Sequence, residues 1–329
     1  MQEVPVNYRA RFLCREIFSG KDSMSFAVPV REKNASNFWV NKYGLLQFKD
    51  FVIAETSCLE TDTCDCSYFR KGGKVLNLNS NRRGNCKGCK YCIHNFPVYD
   101  ERVLKDVKGL TSEKSITEFF EKEILIKNNW SDLSELEQMA IVTGLFQSEN
   151  QTISHILSVR KIAKSLGFKK EIFFLGSEII SQKGLERLSK YRPFSFCYAI
   201  DCFESREERL NPVKAKVGLE KILELLQFSV SLGFRTNFAY IAGLDSIEGL
   251  SLIGRKFAEA VSSFPIINIY QFQHDKQKEV IARGANRLDY YLKARIEIEK
   301  MFSGAGLTPQ NWENYRSLWY HYFQNIYIQ

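Results

Sequence analysis

Six of the nine cysteines in this 329-residue chain fall between positions 58 and 92. Cys86, Cys89 and Cys92 form a C-x2-C-x2-C run within NSNRRGNCKGCKYCIHNFP. Thiolates at that spacing on a tight, glycine-containing loop can converge on one metal centre, and the thiophilic choices are an iron–sulfur cluster or zinc. The bacterial ferredoxin run carries a fourth cysteine just before a proline. Here that slot holds Phe96, followed by Pro97. Three thiolates leave one iron of a 4Fe–4S cluster without a protein sulfur, and an open iron can bind a substrate or cofactor. Zinc would need a fourth ligand, for which His94 is close in sequence.

A second group, Cys58, Cys64 and Cys66, is spaced C-x5-C-x-C about twenty residues earlier. It reads as a second metal site, with zinc or a set of unliganded thiols as the alternatives. An odd cysteine count and a charged N-terminus without an apolar core argue against a disulfide scaffold and a signal peptide. The expectation is a cytoplasmic protein.

The elements that must hold these residues follow from hydrophobic periodicity. Residues 1–73 carry aromatic and β-branched residues at strand-like spacing, as in SMSFAVPV and FWVNKYGLLQFKDFVIAE. Then apolar runs at 74–81, 138–146, 171–179, 194–203, 234–244 and 265–274 alternate with amphipathic stretches. Gly167 and Gly233 precede strands as helix-terminating glycines would. Six strand–helix alternations imply an α/β fold with a parallel sheet, a partial (β/α)6 TIM-like barrel. The expected organisation is a strand-rich extension (1–73), a barrel core (74–285) and a C-terminal helical, aromatic tail (286–329) covering the barrel. The cysteine loop would follow the first barrel strand, at the end where such folds place active sites. Composition is that of a globular chain, 44% hydrophobic and 26% charged, which excludes collagen-like and low-complexity classes. No run of 18 apolar residues exists, so no membrane partner is expected. The net charge of +8 favours an anionic partner but lacks the dense basic stripe of a nucleic-acid binder.

A strand, a three-cysteine loop with an aromatic before its last cysteine (Cys89-Lys90-Tyr91-Cys92) and six β/α units resemble the radical S-adenosylmethionine (SAM) superfamily over about 74–275. The first cysteine interval is one residue shorter than that family's usual C-x3-C-x2-C. The resemblance implies a 4Fe–4S cluster on Cys86, Cys89 and Cys92, with SAM chelating the fourth iron. Reductive cleavage of SAM would yield a 5′-deoxyadenosyl radical that abstracts hydrogen from an unactivated C–H. It also implies SAM contacts from Tyr91, Thr143, Gly144, Glu149, Asp201, Ile241 and Gly243, with Arg206 and Arg209 available to pair with a carboxylate. The alternative readings are Asp201 as a helix cap and the two arginines as part of a solvated face with Glu204, Glu207 and Glu208.

Cys58, Cys64 and Cys66 ahead of the radical loop partly resemble lipoyl synthases, in which an auxiliary 4Fe–4S cluster supplies sulfur. Arg316-Ser317-Leu318-Trp319-Tyr320-His321 is similar to the C-terminal motif whose serine ligates that cluster, which makes Ser317 the corresponding residue. The reaction this implies is a transferase-type sulfur insertion. Carbon-skeleton, epimerisation or peptide-modifying radical chemistry is the alternative, and a non-catalytic metal-binding module is a third. The implied partners are an electron donor such as ferredoxin or flavodoxin and an acidic carrier protein or peptide substrate.

Overall fold

The computed structural model describes residues 9–14, 24–29, 37–60, 67–70, 73–80, 88–92, 109–142, 146–270, 272 and 275–309. Cys64, Cys66, Cys86, His94, Thr143, Gly144 and Ser317 therefore lie outside the described residues.

The strand-rich extension is an antiparallel sheet. It contains β1 (Arg9–Cys14), β2 (Met24–Pro29), β3 (Phe38–Val40), β4 (Leu45–Phe48) and β5 (Phe51–Glu60), in the order β2-β1-β5-β4-β3. Cys58 lies in β5, opposite Arg11 of β1.

The second sheet is the expected parallel half-barrel. Its strands are β7 (Val75–Leu78), β8 (Gln138–Val142), β9 (Glu171–Gly176), β10 (Phe194–Asp201), β11 (Arg235–Ala242) and β12 (Ile266–Ile269). Each pairs in parallel with its neighbour in sequence, and a short antiparallel β6 (Tyr68–Arg70) extends the β7 edge. The helices are α1 (Glu113–Glu118), continued by a π-helical stretch Phe119–Ile126, then α2 (Glu149–Ser165), α3 (Gln182–Ser189), α4 (Leu219–Ser231), α5 (Ile247–Ala258) and α6 (Leu288–Ser303).

Both faces of the parallel sheet are covered, which is why its strands read as unbroken apolar runs. The outward face sends Leu76, Ile141, Phe174, Phe196, Phe238 and Ile267 into the main core beneath the helices. The inward face packs Ala140, Phe173, Cys197 and Ala239 together. Small residues predominate there because the concave side of a curled sheet has less room. Helix boundaries follow local chemistry. Ser148, Ser181 and Ser246 are N-caps whose hydroxyls accept the N–H of Gln151, Gly184 and Gly249. Gly167 (φ +93°) and Gly233 (φ +77°) close α2 and α4 in the left-handed conformation that glycine adopts without strain. α6 continues the outer helical layer, with Phe302 against Phe238 and Phe264. Among the described residues no helix is long and apolar enough to cross a membrane.

Candidate functional site

Residues from the carboxyl ends of four parallel strands and from the cysteine loop meet at one mouth of the half-barrel, where open α/β sheets place their ligands. The organising residue is Asp201, the last residue of β10. It sits in the left-handed region (φ +66°), directly after a register shift between Ala199 and Asp201. A non-glycine residue held there stores strain that the surroundings must compensate, a pattern concentrated at functional sites. The hydroxyl of Tyr91, in the cysteine loop, donates to Asp201 Oδ2, and Lys214 Nζ forms an ion pair with the same oxygen. Asp201 is thus bound to the loop, and it caps no helix.

The cysteine loop is tied down at three further points. Lys90 N–H donates to the Arg209 carbonyl at 2.8 Å, and the Gln277 side-chain amide donates to the Tyr91 carbonyl at 2.8 Å. Cys89 Sγ accepts the backbone N–H of Asn211 at 3.4 Å and its side-chain amide at 3.7 Å. Cys92 N–H closes a turn onto the Cys89 carbonyl at 2.8 Å. Around the loop lies an apolar collar of Cys202, Leu210, Leu244, Tyr270 and Val280, against which Tyr91, Cys92 and Ile241 pack. Tyr270 meets the Tyr91 ring edge-on, with centroids 6.4 Å apart.

Burial dominates the electrostatics. It raises the Cys89 thiol above its ordinary value, with Lys214 and the Asn211 N–H acting in the opposite direction. Burial and the adjacent Asp201 carboxylate hold the Tyr91 hydroxyl protonated. Burial opposes the charge on Lys214, but Asp201, with Cys89 and Glu178, outweighs it and the ammonium is retained. Cys202, fully buried, has its thiol pushed up to about 12 and serves as packing.

Glu178, two residues beyond β9, was not singled out by its sequence context. It is 9% exposed, and burial raises its carboxyl from 4.5 to about 7 despite backbone N–H donors and the charge of Lys214. Its Oε2 accepts the Ser177 N–H at 2.7 Å, while Oε1 is buried without a hydrogen-bond partner. Lys214 and Asn211 were also unflagged. The available signal for Glu178 was an ionisable residue two positions after the buried strand EIFFLG.

The other named residues occupy supporting positions. Glu149 accepts the N–H groups of Ile180 and Ser181 and the Ser181 hydroxyl, so it fastens the β9–α3 connection. Arg206 is buried and donates to the carbonyls of Ile200 and Cys202 at 2.8 Å each, unlike the solvated face its sequence allowed. Arg209 pairs with Asp245 at 3.3 Å, and Asp245 also accepts the N–H groups of Phe203 and Glu204. Gly243 follows β11 at φ +113°, where an added Cβ would lie 2.8 Å from Tyr270 Cβ.

The donor chemistry suits a thiolate-held cluster: a sulfur with two N–H donors, a nearby ammonium and an apolar collar that keeps water away. Among the described residues no three His, Cys, Asp or Glu side chains converge as a ligand set, and Cys86, the third loop cysteine, lies outside them.

No protein-family model matches the sequence, and comparison with curated proteins finds no match. Among solved structures, the chain is similar to coproporphyrinogen III oxidase (HemN) from Escherichia coli, described as a radical SAM enzyme. The TM-score is 0.47 at 15% identity, over 70% of this chain and 52% of that one. It is also similar to Streptococcus suis SuiB bound to S-adenosylmethionine, with a TM-score of 0.44 at 13% identity, over 68% of this chain and 47% of that one. A third is the radical S-adenosylmethionine methyltransferase TsrM from Kitasatospora setae, with a TM-score of 0.35 at 10% identity, over 55% of this chain and 34% of that one. The aligned part is about half of the first two structures and a third of the last.

Proposed function

We propose that this chain is a radical SAM enzyme. One observation carries the reading: the cysteine loop is bonded to the end of β10, through Tyr91 on Asp201, and to the segment that follows that strand, through Cys89 on Asn211. A loop of thiolates and a strand-end carboxylate within one side chain's reach suit a ligand that bridges a cluster and a polar group.

In this reading Cys86, Cys89 and Cys92 hold a 4Fe–4S cluster. Such a cluster, with SAM bound and one electron taken from an external reductant, would supply reductive cleavage of SAM for hydrogen abstraction, with methionine and 5′-deoxyadenosine as the released products. Asp201 accepts hydrogen bonds from hydroxyl groups of the ligand in exchange for its bond to Tyr91. The unpartnered Oε1 of Glu178 offers an acceptor to an ammonium group, and Lys214 a cation to a carboxylate. The apolar collar excludes water from the loop, and Gly243 lets Tyr270 pack into it.

The finer reading is sulfur insertion into a carrier-borne acyl substrate, with a second cluster on Cys58, Cys64 and Cys66 and with Ser317. It rests on cysteine spacing and on the C-terminal motif. Anaerobic reconstitution with iron and sulfide tests both levels, since about four irons per chain means one cluster and about eight means two. With SAM and a reductant, the wild type should release 5′-deoxyadenosine. Cys89→Ala should abolish that release, while Cys58→Ala should leave it. Release that survives Cys89→Ala would overturn the general reading. Loss of release in Cys58→Ala would overturn the division of labour between the two cysteine groups.

A further inference from the structure

We propose that Asn211 is a positioning residue that sets the reduction potential of the cysteine-loop centre by donating two N–H bonds to Cys89 Sγ. The inference rests on the cluster reading above and goes beyond it to a residue that neither the cysteine pattern nor the strand ends pointed to.

The geometry fixes the donor. Asn211 is 5% exposed, and its backbone N–H lies 3.4 Å and its side-chain Nδ2 3.7 Å from the sulfur. Its Oδ1 accepts the Lys214 N–H at 3.0 Å and caps the helical turn Pro212–Ala215. That bond settles the orientation of the amide: with Oδ1 committed to Lys214, the Nδ2 end faces the sulfur. The loop carrying Asn211 is itself fastened to the cysteine loop through the Arg209 carbonyl and Lys90 N–H. The donor is therefore held rigidly against one sulfur.

Hydrogen bonds to a ligating sulfur stabilise the form with more electron density on it, which is the reduced form. The effect is large where water is excluded, as in the collar of Leu210, Leu244 and Tyr270. Lys214 acts in the same direction through its charge. Asn211 thus makes the centre easier to reduce, as a low-potential centre fed by a weak cellular reductant requires.

Two substitutions separate this role from capping, because both keep an N-cap oxygen. Asn211→Asp replaces the Nδ2 donor by a carboxylate oxygen, and Asn211→Ser removes it. The measurement is a redox titration of the full-length reconstituted protein, with bound iron counted in parallel. At full iron content, Asn211→Asp should show a midpoint more negative by at least a tenfold change in the oxidised-to-reduced ratio, about 59 mV for a one-electron couple. Asn211→Ser should shift it the same way by less. Unchanged midpoints in both variants at full iron content would overturn the proposal. So would loss of iron from both, since Asn211 would then hold the loop and not tune it. If the wild type itself binds no iron, the cluster reading fails first and this inference falls with it.

Discussion

Asp201 and Lys214 are a buried ion pair, each side chain 10% exposed, so the two charges depend on one another. Removing one partner strands the other in a low-dielectric setting. Lys214→Met should destabilise the protein by about 3–5 kcal/mol in urea unfolding, and adding Asp201→Asn should recover part of that loss. An additive double mutant would show that the pair is not coupled. Two other buried groups set opposite pH dependences. Glu178 has a folded value near 7 against 4.5 unfolded, so its contribution to stability is complete below pH 4.5 and is lost as pH rises through 7. His155, held neutral by burial with Nε2 2.6 Å from the Ser80 hydroxyl, falls from 6.5 to about 4. Its contribution is complete above pH 6.5 and is lost as pH falls through 4. The two slopes oppose each other between pH 4.5 and 6.5. Relative to wild type, Glu178→Gln should tilt stability upward with pH across that window, by at most about 1.36 kcal/mol per pH unit. His155→Gln should tilt it downward. Parallel pH profiles for wild type and both variants would contradict these assignments.

At the scale of elements, strand ends decide what the site contains. β11 is followed by Gly243, which must adopt φ +113° and leave space for Tyr270, which in turn packs on Tyr91. Gly243→Ala should therefore cost about 1–3 kcal/mol from the backbone term alone. Under the proposed function it should also weaken SAM binding, measured by calorimetry, because the collar shifts with Tyr270. Unaltered stability would show that the turn tolerates a side chain. All six barrel strands were legible in the sequence, because a parallel strand buried on both faces leaves a contiguous apolar run. β1 and β6 were not, since Arg9–Cys14 alternates weakly and Tyr68–Arg70 is three residues at an edge. Helix α1 and its π-helical continuation were missed because Glu113–Ile126 buries only Ile116, Phe120 and Ile124, too sparse a stripe to stand out. The site was half legible for a related reason. Cys89 and Asp201 lie at positions that motif and strand end mark directly. Asn211 and Lys214 matter only because the folded loop after β10 brings them to the Cys89 sulfur and the Asp201 carboxylate, and Glu178 because the loop after β9 buries it within the field of Lys214, proximities that chain order does not encode.

The whole half-barrel separates stability from chemistry along its axis. At the end opposite the cysteine loop, Glu171 accepts from Gln138 Nε2 at 2.5 Å and from the Ser195 hydroxyl, and pairs with Arg235 at 2.5 Å. These residues lie in the first two positions of four adjacent strands and lock their register without touching the mouth. The chain brings a net charge of +8 to an encounter with a partner. Long-range attraction accelerates encounter with acidic proteins and is screened by salt. The Debye length falls from about 30 Å at 0.01 M ionic strength to about 8 Å at 0.15 M. If the electron donor is an acidic protein of the flavodoxin or ferredoxin type, stopped-flow reduction of the reconstituted enzyme should slow by about tenfold or more across that range. Reduction by a neutral small-molecule mediator should change little. Equal salt dependence for the two reductants would mean that the positive charge does not steer the donor, and that its use lies with the substrate.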